Sequence, residues 1–187
     1  MDAIDAFHAR RSIRDYLQAP VQQSLIDAII KDSAQAPWTP ISAPEPWVFT
    51  VICGVERITS YGARALQFAR ENRPERGYEW TERPDFSVFY NAPVVIIISG
   101  KIGNPLALEE CTRAGQILAL SAVARGLGSC WVGSPMLWLG DPGVRRELRI
   151  PDGFAPHAVF TLGYAAKMPG NPGIIATRTN WIGDAEP

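Results

Sequence analysis

"PVVIIIS", residues 93–99, is an unbroken apolar run of strand length, dominated by β-branched residues. A strand with one wet face alternates apolar and polar positions, so this run predicts a strand covered on both faces. A second segment, "WVFTVIC" (47–53), has the same β-branched and aromatic character, and "HAVFTLGYA" (157–165) predicts a further buried strand.

Helical periodicity appears between these strands. Asp2 is placed to cap a first helix in which Ile4, Phe7 and Arg11 share a stripe, and Pro20 to about Ala34 repeats Val21, Leu25, Ala28 and Ile29 at helical spacing. Leu108, Cys111, Gly115, Leu118 and Ala122 trace one face of a longer helix ended by Gly126 and Gly128. Its small residues Ala114, Gly115, Ala119 and Ala122 would admit another backbone closely, which suits packing between subunits. Strands and helices are mixed without the strict alternation of a doubly wound sheet.

With 187 residues, 47% of them apolar and 20% charged, the chain predicts one domain over 1–187. A charged excursion is expected at about 64–87 and a Pro/Gly-rich C-terminal extension at about 166–187. Tyr78 and Trp80 leave two readings of the excursion open, a solvated surface segment or a lid over a planar ligand. A formal net charge of −1 offers no broad field for nucleic acid or a membrane surface. No apolar stretch reaches the roughly 18 residues of a spanning helix, and "MDAIDAFHARR" lacks the basic-then-apolar order of a secretion signal. The expectation is a cytoplasmic protein. Cys53, Cys111 and Cys130 have no metal-type spacing and are expected as reduced, buried thiols. His8 and His157 belong to no triad or metal set.

"RRSIRDY" (10–16) concentrates three arginines and a serine at one turn of the chain. If the backbone is extended there, Ser12 and Arg14 face one side while Ile13 anchors the other. That geometry suits a phosphate, since charge-assisted bonds are worth roughly 1.5–3 kcal/mol each. The alternative is a basic helix end complementing the helix dipole, worth about 0.3–1 kcal/mol per charge.

Five segments in order, "RRSIRDY", "APWTPISAPEPWVFTVI" (36–52), "NAPVVIIIS" (91–99), "GLGSCWVG" (126–133) and "PDGFAPHAVFTLGYA" (151–165), resemble the flavin-dependent nitroreductase family. The resemblance implies an α+β fold, a central mixed or antiparallel sheet flanked by helices, assembled as an intertwined homodimer that binds one FMN per subunit across the interface. It implies hydride transfer from NADH or NADPH through flavin N5 to a small-molecule electron acceptor such as a nitroaromatic or quinone. By the same resemblance Arg10, Arg11 and Ser12 would hold the phosphate and ribityl chain, and Arg14 would sit at the pyrimidine edge. Gly133 and Ser134 would present backbone N–H groups to the ring, Trp131 and Val132 would line the same wall, and Arg178 would reach the phosphate. No side chain is expected to act as nucleophile or metal ligand, because the flavin carries the chemistry.

One departure stands out. Where the family carries Ser, Asn, any residue, Gln, Pro, Trp, this chain has Ala43 and Glu45 in place of the two amides. A flavin-binding or sensory protein with little turnover is the alternative that this loss suggests.

Overall fold

The computed structural model describes residues 1–74, 76–170 and 176–183. Strands β1 (Trp47–Cys53), β2 (Val94–Lys101), β3 (Gly128–Trp131) and β4 (Phe154–Gly163) form one sheet in the order β1-β2-β4-β3. Every neighbouring pair is antiparallel. The single parallel feature recorded among the described residues is a bridge between Ser12 and Ser129. The α+β class therefore holds.

The run that predicted a doubly covered strand is β2. Val94, Ile96 and Ile98 face one core with helices α2 (Gln23–Ser33) and α4 (Ala107–Ala124), while Val95 and Ile97 face a second core. That second core is closed by α3 (Val55–Asn72), α5 (Met136–Leu139) and α6 (Pro142–Glu147). Burying one such side chain is worth about 1.5–3 kcal/mol, so a helix layer on one face alone would forfeit that gain for half the strand.

Helix α1 (Ala3–Ala9) starts as expected, with Asp2 Oδ1 accepting from the Asp5 N–H at 2.8 Å. Its Ile4 and Phe7 stay exposed, so this apolar pair finds no cover among the described residues. Helix α2 begins at Gln23 rather than Pro20, because Gln22 is still extended (φ −62°, ψ 136°).

The small-residue stripe of α4 packs against the chain's own sheet. Ala114, Leu118 and Ala122 are fully buried in the chain's own core, and a Cβ on Gly115 would lie 2.4 Å from Phe160 Cε2 of β4. Close approach is needed here by the helix and its own sheet. Leu108, expected on the same face, is half-exposed instead.

The charged excursion also begins differently. Residues 64–72 continue α3, whose Ile58, Ala65 and Ala69 are buried, so its first half is an amphipathic core helix. Arg64 makes a bidentate ion pair with Glu147 at 2.7 Å. Trp80 packs between Tyr78 and Phe86, with ring centroids 5.8 and 5.0 Å away, and belongs to the second core. Tyr78 and Trp80 are thus part-buried against neighbouring rings rather than exposed; Glu75 lies outside the described residues.

Of the three thiols, Cys111 and Cys130 are buried, but Cys53 is exposed, because it ends β1 at the sheet border. Burial, with help from the neighbouring Glu110 charge, pushes the Cys111 thiol up to about 12. His157 is half-buried, and desolvation holds its pKa below the ordinary value despite Glu109 nearby. In the expected C-terminal extension, residues 171–175 and 184–187 lie outside the described residues. No helix among the described residues is long and apolar enough to cross a membrane.

Candidate functional site

The segment after α1 docks along the free edge of β3. The Ile13 N–H donates to the Ser129 carbonyl at 2.9 Å, beside the Ser12–Ser129 bridge, and Leu17 donates to Tyr164 at 2.9 Å. Ile13 is 1% exposed, whereas Arg14 is exposed and Ser12 half-buried. The alternation expected of an extended segment is thus present: Ile13 anchors, and its neighbours face outward. Tyr16 completes the anchor. Its hydroxyl donates to the Ile13 carbonyl at 2.8 Å and lies 2.8 Å from Thr161 Oγ1, with burial raising its pKa.

Glycine makes this docking possible. A Cβ on Gly128 would lie 2.5 Å from Ile13 Cγ1, so only a bare backbone lets the segment approach β3 this closely.

The three arginines have different surroundings. Arg11 Nη1 donates to the carbonyls of His8 and Arg10 at 2.7 and 2.8 Å, so part of this guanidinium closes the end of α1. Arg10 is the C-cap residue of α1, its N–H bonded to Ala6, and its side chain is half-buried. Arg14 lies beside Cys130 and over the ring of Tyr90, its Cζ 5.9 Å from the centroid. None of the three forms an ion pair among the described residues. Burial raises the Cys130 thiol pKa, while the Arg14 and Arg10 charges and Ser12 oppose that rise. The thiol therefore shares a face with the cations.

Directly after β3 comes the loop holding Trp131 to Ser134. Val132 is buried and its N–H donates to Val159 at 2.9 Å, which continues the ladder by one residue. Trp131 is half-exposed, its ring 5.7 Å from that of Phe160. Gly133 is exposed, and a Cβ built on it would meet nothing within 4 Å. Neither the Gly133 nor the Ser134 amide N–H has an acceptor in the chain among the described residues, and Ser134 Oγ is buried without a partner. The fold thus brings Arg10, Ser12 and Arg14 beside the strand that ends in two free amides. Arg178 is exposed in the tail, and the structure assigns it no partner among these groups.

The loop that departs from the family pattern is fixed by a group the sequence did not single out for this role. Glu110, in the first turn of α4, is fully buried. Its Oε1 accepts from the Thr39 N–H at 2.8 Å and Thr39 Oγ1 at 2.7 Å, and its Oε2 accepts from Ser42 Oγ and from Asn104 Nδ2 at 3.0 Å. Burial acts to raise its pKa, but these hydrogen bonds prevail and hold it below the ordinary value. Lys101 Nζ donates to the Ala43 carbonyl at 2.7 Å, and Ala43 and Glu45 are exposed.

A cleft of about 760 Å³ opens beside Arg14 and is lined by Tyr16, Gln18, Arg83, Asp85 and Tyr90 among others. Of the residues nominated from sequence, only Arg14 borders it. Tyr90 and Asn91 both have left-handed backbones, with φ of 54° and 52°. Asn tolerates that region, but a bulky residue such as Tyr90 is uncommon there and costs of order 1–3 kcal/mol that its surroundings must offset. That strain is visible only in three dimensions.

A sequence model of the nitroreductase family matches residues 8–164. The chain belongs to the nitroreductase family. A relative from Methanothermobacter thermautotrophicus, whose name gives NADH dehydrogenase/NAD(P)H nitroreductase as a provisional activity, is 33% identical over 176 residues, covering 91% of this chain and 81% of the relative. The fold is shared with a Bacteroides fragilis nitroreductase crystallised with FMN, at a TM-score of 0.78 and 24% identity over 95% of this chain and all of that one. It is shared as well with an FMN- and NADPH-dependent nitroreductase variant from a Sphigopyxis species, at a TM-score of 0.70 and 21% identity over 93% and 95% of the two chains. The family match takes in four of the five segments whole and the fifth almost to its end, from Arg10 of the cationic cluster to Tyr164 just past β4.

Proposed function

We propose that this nitroreductase-family chain is an FMN-dependent oxidoreductase that takes reducing equivalents from NADH or NADPH and delivers them to a small-molecule acceptor such as a nitroaromatic or quinone. The observation that carries this reading is the pairing of an arginine-lined segment with the free amides of Gly133 and Ser134 along one sheet edge. A phosphorylated, flat cofactor needs both parts: cations and a hydroxyl for the anionic end, and bare backbone donors for the ring. The residues present fit that need. Gly133 has open space where a Cβ would stand, and Ser134 Oγ is a buried polar atom in want of a partner.

In this reading Arg10 and Ser12 bind the phosphate, with the remaining donors of Arg11 and with Arg178 adding to that end. Arg14 sets a fixed positive charge at the pyrimidine edge, which favours the more electron-rich state of a bound ring and so raises its potential. Gly133 and Ser134 orient the ring through their N–H groups, and Trp131 and Val132 form the wall beside them. The chemistry that FMN supplies when bound is two-electron transfer between nicotinamide and acceptor. The chain itself contributes position, charge and exclusion of water.

The reading also includes a homodimer. Ile4 and Phe7 of α1, Trp38 and Ile41 between α2 and β1, and Leu108 of α4 are large exposed apolar side chains that a second copy would cover. Reduced thiols and the absence of a spanning helix among the described residues suit a cytoplasmic setting.

A second reading, a flavin binder with little turnover, is favoured by Ala43 and Glu45, which bring no amide to the site. One experiment separates the two. Purified protein should be yellow, bleach on anaerobic titration with NADH or NADPH, and regain its colour with a quinone or nitro compound. Colour that neither nucleotide bleaches would favour the binder, and a colourless protein that takes up no added FMN would overturn both.

A further inference from the structure

We propose that Tyr90 is a positioning residue that sets the aim of the Arg14 guanidinium. This rests on the functional reading above and names a residue that lies far from Arg14 in the sequence. Arg14 Cζ stands 5.9 Å from the centroid of the Tyr90 ring, within the range at which an aromatic face attracts a cation.

The two side chains are carried by segments that pack as a unit. Ile13, Tyr16 and Ala92 form a small core of their own, with Tyr90 and Ala165 against it. Gln18 Nε2 donates to the Asn91 carbonyl at 3.1 Å, which ties the cationic segment to the residue after Tyr90. The left-handed backbone at Tyr90 and Asn91 is held by local bonds: Tyr90 N–H to Ser87 carbonyl at 3.3 Å, Asn91 N–H to Ser87 Oγ at 3.2 Å, and Ala92 N–H to Phe89 carbonyl at 3.0 Å. The Phe86 ring meets Tyr90 edge-on at 6.5 Å. The left-handed backbone at Tyr90 sets its ring under an otherwise exposed arginine. Without that ring, Arg14 would swing freely at the rim of the cleft.

The test compares FMN affinity of the apoprotein, by fluorescence quenching, and the midpoint potential of the bound flavin in Tyr90→Phe, Tyr90→Leu, Tyr90→Asn, Arg14→Met and Arg14→Met/Tyr90→Leu. Tyr90→Phe keeps the ring face and should stay within about twofold of the unaltered protein. Tyr90→Leu should weaken FMN by roughly three- to tenfold and lower the potential, the loss of a cation–aromatic contact together with part of what Arg14 contributes. Tyr90→Asn tolerates the left-handed backbone and should behave like Tyr90→Leu even if the leucine variant folds poorly. The double variant should match Arg14→Met alone, because Tyr90 acts through Arg14. Unchanged affinity and potential in Tyr90→Asn, or additive losses in the double variant, would overturn the inference. If the unaltered protein takes up no FMN, the functional reading itself falls, which is a separate result.

Discussion

Ile13 Cγ1 lies 2.5 Å from where a Cβ on Gly128 would stand, so the segment that carries the arginines rests against β3 only because residue 128 has no side chain. Gly128→Ala should push Ile13 out of its socket, with an overpacking cost of about 1–3 kcal/mol. For a chain of this size that corresponds to a fall in Tm of roughly 2–10 °C, read by thermal unfolding, together with weaker FMN uptake.

Gly133→Ala should do the reverse. Its Cβ would enter open space, so the Tm of the apoprotein should change by no more than about 1 °C, within the range of ordinary surface substitutions. FMN affinity, measured by fluorescence quenching, should fall at least tenfold as the added methyl group meets the ring. Equal affinity in the two proteins would remove residue 133 from the cradle.

Arginines 10 and 11 should prove unequal. Arg11 Nη1 already serves the last carbonyls of α1, whereas Arg10 makes no ion pair among the described residues. Arg10→Met should weaken FMN by one charge-assisted bond to phosphate, about 1.5–3 kcal/mol or roughly 10- to 150-fold. Arg11→Met should cost clearly less affinity and should lower Tm slightly, by frayed capping. Riboflavin, which lacks the phosphate, should bind the Arg10→Met variant and the unaltered protein alike.

Glu110 links acid stability to the loop before β1. Its folded pKa lies below the ordinary 4.5, so its contribution is complete above about pH 4.5 and is lost as pH falls through the folded value. Glu110→Gln would set a donor amide against the donors of Thr39, Ser42 and Asn104, costing roughly 2–4 kcal/mol at neutral pH. The gap in Tm between the two proteins should narrow as the pH is lowered toward 3. A constant gap across that range would show that the carboxylate charge is not what holds the loop.

Much of the architecture was legible because it depends on local pattern. The run at 94–98 reads as a doubly covered strand since each residue meets a core, and Asp2 reads as a cap since the bond it accepts is three residues away. Helices α5 and α6 were not read, because four and six residues are too short to show a helical period, although Asp141 before Pro142 was a capping signal. Pro20 misled in the other direction, as it lies in extended chain ahead of α2. Within the site, the outward-facing Arg14 and buried Ile13 followed from alternation. The part played by Arg11, the buried Glu110 set and the Arg14–Tyr90 contact did not, since each depends on groups that only folding brings together.

The bridge between Ser12 and Ser129 also bears on how this chain can be handled. Residues 12–17 occupy a border that would otherwise expose unpaired backbone donors and acceptors along β3 and the end of β4. Removing the first seventeen residues would therefore yield sticky material prone to edge-on self-association rather than a tidy cofactor-free protein. Affinity handles placed there should be separated from Met1 by a flexible spacer, so that this closing strip can still seat itself.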